Sequence, residues 1–322
     1  MATISSSGVR SGPRLRAAPS LYERMEGGYP DRFVELFEKR GEPATVVNGA
    51  IFKLYSGMVV PFGPANADYT LSPEEGARVL KSLGGTVLRT TTGFTPNGTA
   101  SDWYAVICRE FQAIESVASS NTRSKLRRAL RNCEVRRMSC EELATAGYEV
   151  YRRAFDRYEG PDTPVAQSAF AAHVMGGEGF DDVIQHWAVT CDGQLAGYST
   201  NYVFGTTEAA YSALKFHPDH LRRYASYALF HRMNEHYLTE RGMAYVNDGF
   251  RSILHGTELQ EFLERNFAFE KAYTGVAAFY RQPYRTFVRA TFPFRSLIGR
   301  LDERARAIYE LERVARAARM RA

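Results

Sequence analysis

Residues 209–228, AAYSALKFHPDHLRRYASYA, decide how this chain is read. The first eight residues suit a strand, HPDH suits a polar turn, and the remainder opens a helix. Arg223, Tyr224, Ala225, Ser226, Tyr227 and Ala228 fall at that opening. The first turn of a helix offers backbone N–H groups without intrahelical partners, and its dipole favours negative charge. An arginine beside small residues there makes a seat for a diphosphate. The competing reading is a solvated helix start with its arginines on the surface.

The neighbouring elements give that segment its context. Residues 140–157 and 163–175 have helical spacing, with Leu143, Tyr148 and Tyr151 among the apolar positions of the first. Strands follow at 187–190 and 195–204, joined by Asp192-Gly193, a hairpin signal. The strand at 209–216 completes a meander. The helix is predicted over 221–240, with Ala225, Ala228, Leu229, Met233 and Tyr237 on one face and Arg241-Gly242 closing it. A strand at 243–247 follows, then a helix at 259–266 and two short strands over 269–280 with a break near Gly275. The order is α-α-β-β-β-α-β-α-β-β. A helix crossing over after a meander implies one parallel pair in a mostly antiparallel sheet.

The first half reads as mixed α and β. A helix falls in 21–40, with Phe33, Leu36 and Phe37 at helical spacing. Strands at 50–55 and 58–61 flank Ser56-Gly57. Ser72-Pro73-Glu74-Glu75 is a helix start with a capping serine, proline at the first position and early acids. Strands are predicted at 86–92 and 103–107. Ser119-Ser120-Asn121 caps a helix over 122–131, and residues 134–138 form a strand.

The chain has 322 residues, 44% hydrophobic and 24% charged, which suits a globular protein of about two domains. Its 19 Tyr and 20 Phe favour sheet. A net charge of +5 permits a nucleotide, an RNA or a membrane surface as partner. Cys108, Cys133, Cys140 and Cys191 form no C-x-x-C pair, and His217-Pro218-Asp219-His220 has no third ligand, so no metal is expected. Unpaired thiols in a reduced, cytoplasmic protein are the simplest expectation. No apolar run has the length of a membrane span. Residues 1–20 carry Ser and Arg without acids or an apolar core, as in a flexible arm.

The element order over roughly 141–285 resembles that of the Gcn5-related N-acetyltransferase (GNAT) superfamily. The superfamily's pyrophosphate motif, R/Q-x-x-G-x-G/A, is similar to Arg223-Tyr224-Ala225-Ser226-Tyr227-Ala228, with Ser226 at a glycine position. A strand with Trp103, Tyr104 and Val106, followed by a basic helix at 123–131, makes the first half look like a degenerate copy. The layout therefore resembles the tandem FemA/FemX-like transferases. The resemblance implies an α+β (mixed α/β) fold of two GNAT-like domains: residues 21–139 and an acyl-donor domain at 140–295, with an amphipathic helix at 296–322.

It further implies transfer of an acyl group from acyl-CoA, or of an aminoacyl group from aminoacyl-tRNA, to an amine. Phe216, Arg222, Arg223, Tyr224, Ala225, Ser226, Tyr227 and Ala228 would hold the donor. Asp248 would orient or deprotonate the amine where the parallel strands splay. His255 is a second candidate base, and Tyr211 a candidate proton donor to the leaving group. Residues 123–131 would meet tRNA phosphates or the CoA 3′-phosphate. The bland alternatives are a turn at Asn247-Asp248-Gly249, a core tyrosine, a solvated loop histidine and a solvated basic face. A silent binding module on the same fold also remains open, and the apolar stripe of the last helix is compatible with a homodimer.

Overall fold

A single sheet organises the computed structural model, which describes residues 29–55, 57–95, 102–157, 163–251 and 258–321. Its strands are β1 (Ala44–Val47), β2 (Ala50–Tyr55), β3 (Met58–Phe62), β4 (Val87–Phe94), β5 (Tyr104–Cys108), β6 (Cys133–Met138), β7 (Ile184–Cys191), β8 (Gln194–Phe204), β9 (Glu208–Phe216), β10 (Tyr245–Phe250) and β11 (Glu270–Tyr280). The helices are α1 (Tyr29–Arg40), α2 (Pro73–Ser82), α3 (Ser120–Asn132), α4 (Cys140–Ala154), α5 (Gln167–Met175), α6 (Ala225–Asn234), α7 (Glu258–Phe267), α8 (Tyr284–Thr291), α9 (Arg295–Leu301) and α10 (Glu303–Arg321). Side by side, the strands run β1-β2-β3-β4-β11-β5-β10-β9-β8-β7-β6.

That order contains a repeat. β1, β2 and β3 form an antiparallel meander, and after α2, β4 returns parallel to β3 at Val59 and Leu88. β7, β8 and β9 form a second meander, and after α6, β10 returns parallel to β9. Each returning strand then takes its next neighbour from the other half. β4 pairs antiparallel with β11, β10 pairs antiparallel with β5, and β5 and β11 pair with each other between them. The fold is therefore mixed α+β, mostly antiparallel, with parallel pairs made by crossovers. β6 extends the far edge by pairing with β7. Two strands that precede residue 139, β5 and β6, thus lie among strands of the second half.

Local chemistry explains several of the element ends. Ser72 Oγ accepts from Glu75 N at 3.2 Å while Glu75 Oε2 accepts from Ser72 N at 2.7 Å, a reciprocal cap on α2. Ser139 and Glu142 repeat it on α4. Ser119 Oγ accepts from Thr122 N at 3.2 Å and starts α3. Asp192 and Gly193 have φ of 53° and 76°, the pair of positive values that a tight two-residue hairpin turn requires.

Four expectations are corrected. β11 is one strand rather than two. Its partner changes from β5 to β4 between Tyr273 and Thr274, and its register against β4 shifts between Thr274 and Val276, so the break near Gly275 is a change of neighbour followed by an irregularity. The single helix over 221–240 is three pieces: a 3-10 segment Pro218–Arg223, α6, and a π-helical segment Glu235–Glu240. Asn247-Asp248-Gly249 is not a turn; β10 runs through it to Phe250. Finally, Cys133 and Cys191 are not unpaired. β6–β7 register sets them opposite each other with Cα atoms 4.3 Å apart, and they form a disulfide. Their separation of 58 residues hides this in the sequence.

The main core lies between the second-half sheet and helices α3, α6 and α7, with Trp187, Leu126, Phe230, Met233, Tyr237 and Leu263 inside. A second cluster joins α1 to both meanders. Phe62 of β3 meets Phe33 of α1 and Tyr202 of β8 edge-on, at 4.9 and 5.0 Å between ring centres. Such contacts add to area burial and fix the halves against each other.

Candidate active site

The parallel strands β9 and β10 stay paired over only three positions, Tyr245–Glu208, Val246–Ala209 and Asn247–Ala210. Beyond that level both strands are bulged. In β9, Asn201 faces Tyr211 but Thr200 faces Ala213, so Ser212 is an extra residue. In β10, register against β5 shifts between Asn247 and Phe250. Bulges bend their strands and re-aim side chains. The two strands open at their carboxyl ends, where sheets of this kind admit ligands.

Asp248 sits in that opening. Gly249 has φ of 101°, a left-handed value that L side chains rarely adopt, and it lets β10 step around the bulge. Asn247 locks the step. Its Oδ1 accepts from Gly249 N at 2.7 Å, and its Nδ2 donates to Glu208 Oε1 at 2.8 Å. Glu208, 1% exposed, also accepts from Ala65 N at 2.6 Å through its other oxygen. The chain Ala65–Glu208–Asn247–Gly249 therefore fixes the backbone that carries Asp248, and ties it to the loop after β3. Burial pushes the Asp248 carboxyl up to about 8, close to the value that suits a general base at neutral pH. Burial also raises Glu208 above the usual carboxylate range.

The helix opening lies at the carboxyl end of β9. Tyr224 caps α6 in the left-handed region, φ 64°, and its carbonyl accepts from Tyr227 N and Ala228 N. The N–H groups of Ala225 and Ser226 are those the helix itself leaves over. The left-handed position is thus Tyr224, and Ser226 is ordinary helix, so a serine fits there without backbone strain. Arg223 pairs with Asp192 of the β7–β8 turn at 2.8 Å, both side chains more than half exposed (52% and 63%). An exposed pair of this kind contributes roughly 0–1 kcal/mol and yields readily to a stronger anion.

The basic helix α3 packs on this opening. The Arg128 guanidinium lies 5.1 Å from the Tyr224 ring centre and Lys125 Nζ lies 5.6 Å from that of Tyr227. The Tyr227 hydroxyl donates to Asn266 of α7, which also accepts from Thr122 of α3. Cations from α3 and from the segment before α6 therefore rim one helix N-terminus.

Among the other predicted residues, Arg222 is exposed beside Arg223 and Phe216 is half-buried opposite Gly197 of β8. Tyr211 is 5% exposed and donates to Asn234 Oδ1 at 2.7 Å; burial holds its hydroxyl well above its ordinary range. The structure brings it into the core under α6. His255 lies outside the described residues. No cluster of three or more metal-ligating side chains occurs among the described residues. Sequence reasoning missed Glu208 and Asn247 as the residues that hold Asp248. The Asn-Asp-Gly triplet pointed to one of them, and nothing local marked the other.

No protein-family model matches this chain, and no curated protein matches it. Solved structures do. FemX aligns over 80% of this chain and 93% of its own with a TM-score of 0.54 at 11% identity. The fold is GNAT-like, of the FemX type. A tandem GNAT protein from the clavulanic acid biosynthesis pathway aligns over 70% of this chain and 75% of its own (TM-score 0.42, 13% identity). A GCN5-related N-acetyltransferase from Kribbella flavida aligns over 81% and 95% (TM-score 0.41, 12% identity). The FemX-type likeness is one of fold.

Proposed function

We propose that this protein is an N-acyltransferase that moves an acyl group from acyl-CoA to an amine by direct attack. The observation that carries the proposal is Asp248, held on a locked bulge where β9 and β10 part, with its carboxyl raised to about 8. Donor phosphates suit the opening of α6, where the Ala225 and Ser226 N–H groups and the cations Arg222, Arg223, Lys125 and Arg128 converge. The donor supplies a thioester, already activated toward amines. β9 beyond Ala210 has no strand on its β10 side, so its main chain is open to pair with an amide-bearing arm.

The chain's own work is then to position and to accept a proton. The groove holds the amine against the carbonyl carbon, which replaces a bimolecular encounter with a local one. The amine nitrogen forms the new bond to that carbon, the carbon–sulfur bond breaks, and the nitrogen's proton passes to the Asp248 carboxylate. The sulfur leaves with the electron pair. No covalent enzyme intermediate is required. Amide formation from acetyl-CoA and a panel of amines, followed as thiol release, tests the proposal. Calorimetry showing no binding of acetyl-CoA or a longer acyl-CoA sinks it.

A second donor has one specific observation in its favour. α3, with Lys125 and Arg128 over the seat, extends its basic surface beyond what a diphosphate needs, as an aminoacyl-tRNA would use. Salt-sensitive binding of charged tRNA, with none of acyl-CoA, identifies that donor instead. Either donor suits a cytoplasmic site of action, and either chemistry is amide formation at Asp248.

A further inference from the structure

A cavity lies outside the groove. It has a volume of about 440 Å³ and lies between α2, the end of β11, α8 and α10. That size matches small-ligand sites. Its lining sets five cations, Lys81, Arg281, Arg285, Arg289 and Arg319, against one acid, Glu312.

The arrangement of these groups is specific. Arg285 and Arg289 stand four residues apart on α8 and share one face, and Arg281, between β11 and α8, lines the same cavity. Like charges at that spacing repel. None of the three, nor Lys81, is in an ion pair among the described residues, whereas Arg32, Arg136, Arg152 and Arg313 each meet a carboxylate. Glu312 is 2% exposed. Its Oε1 accepts from Arg316 Nε at 2.7 Å; its Oε2 makes no hydrogen bond at ordinary distance among the described residues, with Arg319 3.8 Å away and the Tyr280 hydroxyl, also unpartnered, as a neighbour in the same lining. A buried carboxylate oxygen and a hydroxyl that both lack a close partner leave room for a ligand hydroxyl to complete them.

We propose that this cavity binds the phosphate of a phosphorylated hydroxy compound. The arginine face and Lys81 take the phosphate oxygens, and Glu312 Oε2 accepts from an adjacent hydroxyl. The same chemistry belongs to a soluble phosphate ester or to a phospholipid headgroup. Beside the cavity, Phe287 (55% exposed), Phe294 (62%), Leu297 (61%) and Leu301 (82%) give a lipid surface something to hold.

The test uses the full chain with two probes: glycerol 3-phosphate, and vesicles of phosphatidylcholine with and without phosphatidylinositol. Binding is read by calorimetry and co-sedimentation, and hydrogen exchange follows residues 281–291. Three proteins are compared: the parent, Arg285→Glu with Arg289→Glu, and Lys125→Glu with Arg128→Glu at the α6 opening. The expected result is saturable binding of at least one probe, slowed exchange over 281–291, and affinity weakened about tenfold or more only in the Arg285/Arg289 variant. Binding of glycerol 3-phosphate identifies a soluble source; binding of the phosphatidylinositol vesicles alone identifies a headgroup. Circular dichroism confirms that each variant is folded. Binding of neither probe, binding untouched by the Arg285/Arg289 change, or binding lost only in the Lys125/Arg128 variant overturns the proposal. The last outcome leaves the donor seat intact as an idea, and failure of acyl transfer leaves the cavity untouched.

Discussion

At the scale of one residue, Asp248 makes claims about both rate and stability. In an unfolded chain an aspartate ionises near 3.9. In the fold burial raises it to about 8. Between those values the native state holds a proton that the unfolded state has released. Stability therefore falls as pH rises through that window, by up to about 1.4 kcal/mol per pH unit from this group. Asp248→Asn removes the ionisation. The variant is expected to match the parent near pH 4 and to exceed it at pH 9 in urea denaturation. Its turnover should drop by about a hundredfold or more. In the parent, kcat/KM should climb with pH and level off above about 8. Full activity in the asparagine variant would remove Asp248 from the mechanism.

At the scale of elements, two assemblies can be probed separately. The first is the lock behind Asp248. Glu208→Ala leaves the Asn247 amide and Ala65 N–H without their buried acceptor, at a cost of about 2 kcal/mol. It should lower kcat more than it raises the donor KM, because the bulge loosens while the phosphate seat stays. A rise in KM alone would place Glu208 elsewhere in the cycle. The second is the α3–α6 rim. Charge reversal at Lys125 and Arg128 should raise the donor KM about tenfold, flatten its salt dependence and leave kcat close to the parent's.

These elements also show what local sequence could and could not say. The caps at Ser72 and Ser119, the Asp192-Gly193 hairpin and the basic face of α3 are short-range patterns, and each is legible. The element order was enough to place a helix opening after the third strand of the second meander. Strand partners are a different matter. Nothing within a few residues of Gly275 says that β11 leaves β5 there and joins β4, and nothing near Cys133 names Cys191. A bulge was read as a turn at Asn247-Asp248-Gly249 because both use the same residues. What separates them is whether β5 continues beside the strand, a fact about residues 104–108.

At the scale of the molecule, the exchanged strands make the halves interdependent. Residues 21–139 lack β11, so β4 would present an open edge and much of the cluster around Trp103 would be exposed. Residues 140–322 lack β5 between β10 and β11, along with β6. Neither piece is expected to fold alone. Expressed separately, each should show weak protection from hydrogen exchange, and mixing the two should restore structure. An independently folded 21–139 fragment, with a cooperative melt of its own, would contradict the exchange as the source of cohesion.

The exchange also sets a timetable. A ribosome extends a chain by roughly 5–20 residues per second. β4 ends at Phe94 and its partner β11 begins at Glu270, so β4 emerges on the order of ten seconds or more before the strand that covers it. Through that interval the nascent chain carries a bare strand edge, the kind of surface on which neighbouring chains assemble. For this protein, yield in a cell should therefore depend on how fast it is translated and on holdase chaperones, more than on the stability of the finished fold.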